Sequence, residues 1–230
     1  MNQLQHLGII MDGNGRYAKS IGKNRTKGHL LGADNIRNIA IAANNHKIKV
    51  LSLYAFSTEN WTRPKDEVSY LMQLPNYFFN KFIDELMANN IKVMMIGEKE
   101  QLPKDTLNIL NKAIDQTKHN TGMILNFAVN YGFKREMVLA IKGIVNDDIN
   151  VEDIDEQLVD QYLMTKGLPP VDLLIRTSGE HRISNFLMWQ IAYSELIFTK
   201  VPWPLFDEIQ LDQCIDEYYH RDRRYGGIKQ

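Results

Sequence analysis

The sequence holds a single cysteine, Cys214, among 230 residues, which excludes an internal disulfide framework and a zinc cluster built from cysteines. That usage fits a reducing compartment, and the expectation is a cytoplasmic protein. No apolar run approaches the ~20 residues of a membrane helix. The opening residues lack the basic and apolar regions of a secretory signal. Charge of one sign is missing too. Lys and Arg number 27 against 28 Asp and Glu, so bulk charge points to neither nucleic acid nor a membrane surface. No repeat, low-complexity tract or linker divides the chain. Its length and its 44% hydrophobic content suit one α/β domain with a sizeable core, expected to span residues 1–230.

The stretch from His6 to Arg16 organises what is present. Leu7 to Met11 reads as a buried strand, and it ends abruptly in Asp12-Gly13-Asn14-Gly15-Arg16. Two glycines allow positive φ and expose backbone amides. Between a strand and a helix, such a loop makes an anion nest. Asp12 at its entrance would repel a phosphate, and a divalent cation between them removes the conflict. Two other readings compete. Gly13 to Ala18 fits the G-x-G-x-x-A dinucleotide fingerprint, which also expects an acidic residue at a strand end about 20 positions on. Asp34 has that distance but falls in a helical pattern. The third reading is an ordinary strand-to-helix turn with Asp12 as the helix cap.

Further along, Leu30 to Ala43 recurs at helical spacing, with Asn44-Asn45 as a left-handed stop. Strands are predicted over Ile48–Phe56, Ile91–Ile96, Met123–Val129, Asp172–Ile175 and Ser194–Phe198, the first of them apolar almost throughout, as strands covered on both faces are. Helices are predicted over Glu67–Asn89, Pro103–Lys118, Lys134–Val145, Asp155–Met164 and Ile209–Tyr219. The alternation implies a mainly parallel six-stranded sheet flanked by helices, with right-handed crossovers. Ligands of such sheets bind at the carboxyl ends of the strands. Polar stretches gather there: Asp12–Arg16, Ser57–Arg63, Asn130–Gly132 and Arg176–Glu180. A carboxylate, amides, hydroxyls and several arginines suit two diphosphates and a magnesium ion.

Taken together, the blocks Ile10-Met-Asp-Gly-Asn-Gly-Arg16, Gly28-His29, Ala55-Phe-Ser-Thr-Glu-Asn-Trp-Thr-Arg-Pro64, Asn130-Tyr-Gly132, Asp172-Leu-Leu-Ile-Arg-Thr-Ser-Gly-Glu180, Arg182-Ile-Ser-Asn-Phe-Leu187, Trp189-Gln190, Ala192-Tyr-Ser-Glu195 and Arg223-Arg-Tyr-Gly-Gly227 resemble the cis-prenyltransferases along nearly the whole chain. Among these the match is to the bacterial undecaprenyl diphosphate synthases. The resemblance implies a homodimeric, magnesium-dependent transferase for cell-wall lipid carrier synthesis. It would add isopentenyl diphosphate repeatedly to an allylic diphosphate, farnesyl diphosphate in the first place, to give a polyprenyl diphosphate. Peripheral membrane contact would serve product release. The paired Asp-Asp-x-x-Asp motifs of trans-prenyltransferases are absent. Four positions depart from the pattern: Tyr17 for tryptophan, Asn24 for proline, Phe133-Lys134 for Gly-Arg, and Leu205 for aspartate. Phe133 puts the local loop shape in question, because phenylalanine tolerates positive φ poorly.

The resemblance also assigns roles. Asp12 would carry magnesium, with Glu195 as the second metal ligand. Gly13, Asn14, Gly15, Arg16, Arg25 and His29 would hold the allylic diphosphate, and Tyr17 would cover the allylic chain. Ser57, Thr58, Glu59, Trp61 and Arg63 are further substrate contacts. Arg176, Arg182, Ile183 and Ser184 would hold the isopentenyl diphosphate. Asn60 is the family's residue for proton removal; a neutral amide is a poor base, so Asn60 is read as positioning a water or a diphosphate oxygen that takes the proton. Taken singly, His29 reads as a capping or surface histidine, each arginine as a surface ion pair, and Glu195 as a strand-end acid.

The helix from Glu67 to Asn89 carries more apolar surface than one buried stripe needs. The excess could line a tunnel between sheet and helices, or reflect deeper burial or a dimer face. Met123, at the amino end of its strand, is expected near the tunnel floor, and the basic stretch Arg221–Gly227 is expected to complete the partner subunit's site. A non-catalytic binding subunit is the competing class, but such relatives lose the residues that here persist as Asp12, Asn60, Arg176 and Arg182.

Overall fold

Strand β1 (His6–Ile10) is buried at every residue because it lies in the middle of the sheet, covered on both faces. The computed structural model describes residues 3–221. On one side β1 pairs with β2 (Val50–Ser57) and on the other with β5 (Leu173–Arg176). Strands β3 (Lys92–Ile96), β4 (Ile124–Tyr131) and β6 (Glu195–Phe198) complete the order β3-β4-β2-β1-β5-β6. Every pairing is parallel, so all carboxyl ends lie on one side.

Period-two alternation sorts the strand residues onto two faces. Leu7, Ile9, Leu51, Leu53, Leu125, Phe127, Leu173 and Ile175 share one core with residues of α2 (Arg25–Asn45), α3 (Lys65–Ala88), α4 (Lys104–Thr117) and α7 (Glu208–His220). Ile10, Ala128 and Leu174 face the other way, against Phe186, Leu187 and Ile191 of an irregular segment. Helices α5 (Phe133–Asn146) and α6 (Glu156–Tyr162) pack on each other. Each fully buried Leu or Ile in these layers contributes about 1.5–3 kcal/mol of transfer free energy.

Several local expectations change. Of the two glycines after Asp12, only Gly13 takes positive φ, 98°; the chain then enters a short helix, α1 (Asn14–Ser20), so Gly15 is helical rather than part of a loop. Asn24 caps α2 by accepting the Lys27 N–H at 3.0 Å, a role proline cannot fill. The left-handed residue after α2 is Lys47, φ 61°, not Asn44 or Asn45. Phe133 is the first residue of α5 and has no positive φ, so that departure leaves an ordinary helix start. Of the basic tail, residues 222–227 lie outside the described residues.

The chain steps from β1 to β2 in one direction and later crosses to β5 on the other side of β1. That reversal opens a crevice at the carboxyl ends of β1 and β5. No described helix is long and apolar enough to cross a membrane.

Candidate active site

Asp12 follows β1 at this crevice, and Arg176 ends the neighbouring β5. The Asp12 Oδ2 accepts from Arg176 Nη2 at 2.9 Å and lies 3.2 Å from Arg16 Nη2. Its Oδ1 accepts the Gly13 N–H at 2.6 Å. The backbone is pinned from β5: the Asp12 N–H donates to Thr177 Oγ1, whose hydroxyl donates back to the Asp12 carbonyl, both at 2.8 Å. Burial opposes ionisation of Asp12, but the Arg176 hydrogen bond, the Gly13 N–H and the Arg16 charge outweigh it and hold the carboxyl below its ordinary range.

A second cluster gathers on one oxygen. Glu67 Oε1 accepts from Arg25 Nη2 at 3.0 Å and Arg63 Nη1 at 3.0 Å, and lies 3.2 Å from His29 Nε2. Burial keeps the His29 pKa below its ordinary value despite Glu67, so the neutral ring donates from Nε2–H. Burial also works against the Glu67 charge, but its bonds to Arg25 and His29 leave that carboxyl below its usual range.

On the β5 side, Arg176 Nη1 donates to the Arg182 carbonyl at 2.6 Å and to Ser184 Oγ at 2.7 Å. Ser184 and Asn185 both take left-handed backbones, φ 49° and 65°. They are held by Tyr54, whose hydroxyl donates to the Ser184 carbonyl at 3.2 Å and whose ring stacks on Phe186 at 4.4 Å. Glu180 joins the two sides, accepting from Arg16 Nη1 at 2.8 Å and from Arg182 Nη1.

The polar stretch after β2 forms a 3₁₀ turn, Thr58–Thr62. Asn60 Oδ1 accepts the Ser57 N–H at 3.1 Å, which leaves its Nδ2 without a partner among the described residues. Glu59 accepts from Asn185 Nδ2 at 2.9 Å. Trp61 lies behind the turn, edge-on to Phe56 at 5.0 Å, with Nε1 donating to Asn130 Oδ1 at 2.8 Å.

These groups surround one cavity of about 710 Å³. Asp12, Gly13, Asn14, Gly15, Arg16, Arg25, His29, Ser57, Glu59, Asn60, Arg63, Arg176, Arg182 and Ser184 line its polar end. Its apolar end runs between the sheet and α3, past Leu71, Met72, Pro75, Phe78 and Phe79 to Leu110 and Phe127. Tyr17, Thr58, Trp61 and Ile183 lie outside this lining.

Two expectations are placed elsewhere. Met123 is 2 % exposed, packed in the core, and does not line this cavity. Glu195 begins β6 level with Leu173, three residues below the Arg176 row, or roughly 10 Å at about 3.3 Å per residue. There it accepts from Arg221 Nη1 at 2.8 Å, and this chain does not bring it to Asp12. The dinucleotide fingerprint also fails, because Asp34 sits on α2, bonded to Tyr77 and Lys81 rather than at a strand end.

A family model described as "Putative undecaprenyl diphosphate synthase" matches residues 10–226. The chain belongs to the undecaprenyl diphosphate synthase family. It is 52% identical to the isoprenyl transferase of Streptococcus thermophilus over 231 aligned residues, covering 97% of this chain and 93% of that one. The isoprenyl transferase of Lactobacillus johnsonii is also 52% identical, covering 98% and 97%. Among solved structures, lavandulyl diphosphate synthase from Lavandula x intermedia, in complex with dimethylallyl diphosphate, superimposes with a TM-score of 0.94 at 33% identity over 98% of this chain and 99% of that chain. A probable undecaprenyl diphosphate synthase from Campylobacter jejuni gives 0.83 at 29% identity, over 99% of this chain and 100% of that one. The chain is therefore a prenyltransferase with a six-stranded parallel α/β fold.

Sequence reasoning missed Glu67 and Asn185 as parts of the site, and gave no role to Asn130 and Thr177, which fall in the polar stretches it placed there. Glu67 left a signal: it falls four residues after Arg63, and His29 four after Arg25, so each pair shares a helical face. Nothing local reveals that the two pairs converge.

Proposed function

We propose that the enzyme condenses isopentenyl diphosphate repeatedly onto an allylic diphosphate, farnesyl diphosphate in the first place. The product is then a long-chain polyprenyl diphosphate, undecaprenyl diphosphate for the cell-wall lipid carrier. What supports this reading is one observation: two sets of arginines and hydrogen-bond donors face each other across Asp12 at the mouth of an apolar cavity. A substrate with a charged head and an isoprenoid tail matches both ends of that cavity.

In this reading Gly13, Asn14, Gly15 and Arg16, with Arg25 and His29, bind the allylic diphosphate at the start of α1. Arg176, Arg182, Ile183 and Ser184 bind the isopentenyl diphosphate. Tyr17, Ser57, Thr58, Glu59, Trp61 and Arg63 orient the substrates. The allylic carbon–oxygen bond breaks, the isopentenyl double bond attacks the freed carbon, and a proton leaves to form the new cis double bond. Asn60 Oδ1 is taken by Ser57, so its Nδ2 is the group available to hold the diphosphate oxygen or water that accepts that proton. The chain supplies positioning and charge stabilisation.

Magnesium fits the donor set. Asp12 presents one carboxylate at the nest, and no group of three His, Cys, Asp or Glu assembles a cage among the described residues. Magnesium characteristically takes one or two carboxylates plus substrate phosphate oxygens. Bound there, it would offset charge on the departing diphosphate. Glu195 enters the proposal as a second ligand only across a homodimer. The proposal also includes one catalytic domain over residues 1–230, a cytoplasmic location and peripheral membrane contact for product release.

The test incubates purified protein with magnesium, farnesyl diphosphate and radiolabelled isopentenyl diphosphate, followed by chromatography of the products. A ladder of polyprenyl diphosphates is expected; absence of incorporation overturns the reading. A second arm with dimethylallyl diphosphate alone asks whether the chain takes two allylic units instead.

A further inference from the structure

Strands β2 and β4 lose register where they reach the site. Phe56 pairs with Val129 and Ser57 with Tyr131, so Asn130 is an extra, unpaired residue: a bulge. Asn130 is 1 % exposed and left-handed, φ 51°. Its amide bridges two segments. Oδ1 accepts from Trp61 Nε1 at 2.8 Å, and Nδ2 donates to the Glu98 carbonyl at 3.0 Å. An indole N–H can only donate and a carbonyl can only accept, so chemistry alone fixes this amide orientation. The Asn130 carbonyl accepts the Glu98 N–H at 3.2 Å, and Arg135 clamps the Glu98 carboxylate through Nε and Nη2 at 2.8 and 2.7 Å.

Asn60 is bonded directly to the end of β2, its Oδ1 accepting the Ser57 N–H at 3.1 Å in a reciprocal capping box, and the turn is further held by the Thr62–Glu59 bond and the exposed Glu59–Asn185 pair. The Asn130–Trp61 bond adds a tether to the neighbouring strand, β4. We propose that Asn130 is a positioning residue: the bulge in β4 aims its amide at the Trp61 indole and thereby sets Asn60 for the proton-transfer step. Three demands meet at this position: a left-handed backbone, an acceptor for the indole and a donor to Glu98. Aspartate supplies the first two and repels the carbonyl, glycine supplies only the first, and glutamine places its amide one methylene too far. The inference rests on the prenyl-transfer reading for its consequence, but the tether itself does not.

The experiment compares Asn130→Gly, Asn130→Asp and Trp61→Phe with the wild type. Trp61 is one of three tryptophans, so its indole proton resonance is assigned by its loss in Trp61→Phe. In Asn130→Gly that resonance is expected to shift and exchange faster. The kcat should fall about tenfold to a hundredfold, the size of a small misplacement of reacting groups. The KM for the allylic diphosphate should change by less than kcat, because its cradle lies on α1 and α2. Asn130→Asp, which keeps the acceptor, should retain more activity than Asn130→Gly. The double variant Asn130→Gly with Trp61→Phe should lose no more than the worse single one. An unshifted indole resonance, or a shifted one with unchanged kcat, overturns the proposal, as does full additivity. If Asn130→Gly does not fold, Asn130→Asp and Trp61→Phe carry the same comparison. Wild-type protein without prenyl transfer would instead overturn the functional reading, while the indole resonance still reports the tether.

Discussion

Asp12 and Arg176 meet across the boundary between β1 and β5, Oδ2 to Nη2 2.9 Å, with Arg176 only 4 % exposed. The two residues end adjacent parallel strands on either side of the point where the chain reverses its order. The same guanidinium reaches Ser184 at 2.7 Å, so one arginine ties the carboxylate on one side to the hydroxyl on the other. Asp12→Ala is expected to fold, because its backbone stays pinned by Thr177. Its kcat should drop roughly 10²- to 10³-fold, the scale of several kcal/mol of charge stabilisation. Near-native circular dichroism with substantial magnesium-dependent turnover would remove Asp12 from the metal role.

The α1–α2 contact is a second sensitive point. A Cβ on Gly28 would lie 2.1 Å from the Asn14 carbonyl oxygen and 2.8 Å from its carbon. Both are backbone atoms and cannot rotate away, so Gly28→Ala must push α2 off α1. A cost of about 1–3 kcal/mol or more is expected, with a raised KM for the allylic diphosphate because α1 carries Asn14 to Arg16. Thermal melting and steady-state kinetics measure both. An unchanged melting temperature would mean that the helices are not packed this closely.

Much of this architecture was legible in the sequence, for a physical reason. Strands covered on both faces read as continuous apolar runs, and the polar stretch after each marks a carboxyl end. Single-residue conformation was less legible. Asn24 reads as a departure until it is seen capping α2, and Asp-Gly-Asn-Gly reads as a loop although its last two residues start a helix. Long-range pairing left no local trace. Glu67 lies 38 residues from His29, and the level of Glu195 depends on the β5–β6 register, which no motif encodes.

Glu136 makes stability depend on pH. It is 1 % exposed, and its carboxylate accepts from the Tyr131 hydroxyl at 2.5 Å, the Met164 N–H at 2.9 Å and the Gln190 amide at 3.2 Å. Burial pushes its pKa up, and these bonds offset only part of the rise. The unfolded chain titrates near 4.5, below the folded value. Its contribution to stability is therefore whole below about pH 4.5 and is lost as pH rises through the folded-state pKa. Glu136→Gln cannot ionise. The wild type's advantage in melting temperature over this variant should shrink as pH rises from 4.5 toward neutrality. A constant difference would mean that Glu136 ionises as readily when folded.

In the proposed elongation, product length follows from where the cavity ends. Its deep wall is aromatic: the Phe127 ring stands edge-on to Phe78 at 5.8 Å and to Phe79 at 5.6 Å, with Leu110 beside them. Met123 shares a strand face with Phe127 but lies four residues nearer the amino end, roughly 13 Å at about 3.3 Å per residue. A growing isoprenoid chain entering from the carboxyl ends meets Phe127 and Phe78 first. Replacing Phe127 by the smaller leucine should open the wall and shift products to longer chains, at a modest stability cost because the site stays apolar. Met123→Ala should instead cost about 2–5 kcal/mol as a core truncation and leave the length distribution in place. Chromatography of the polyprenyl products, read beside thermal melts of both variants, separates the two positions. Longer products from Met123→Ala with unchanged products from Phe127→Leu would mean that the aromatic wall yields during elongation and that the floor lies at Met123.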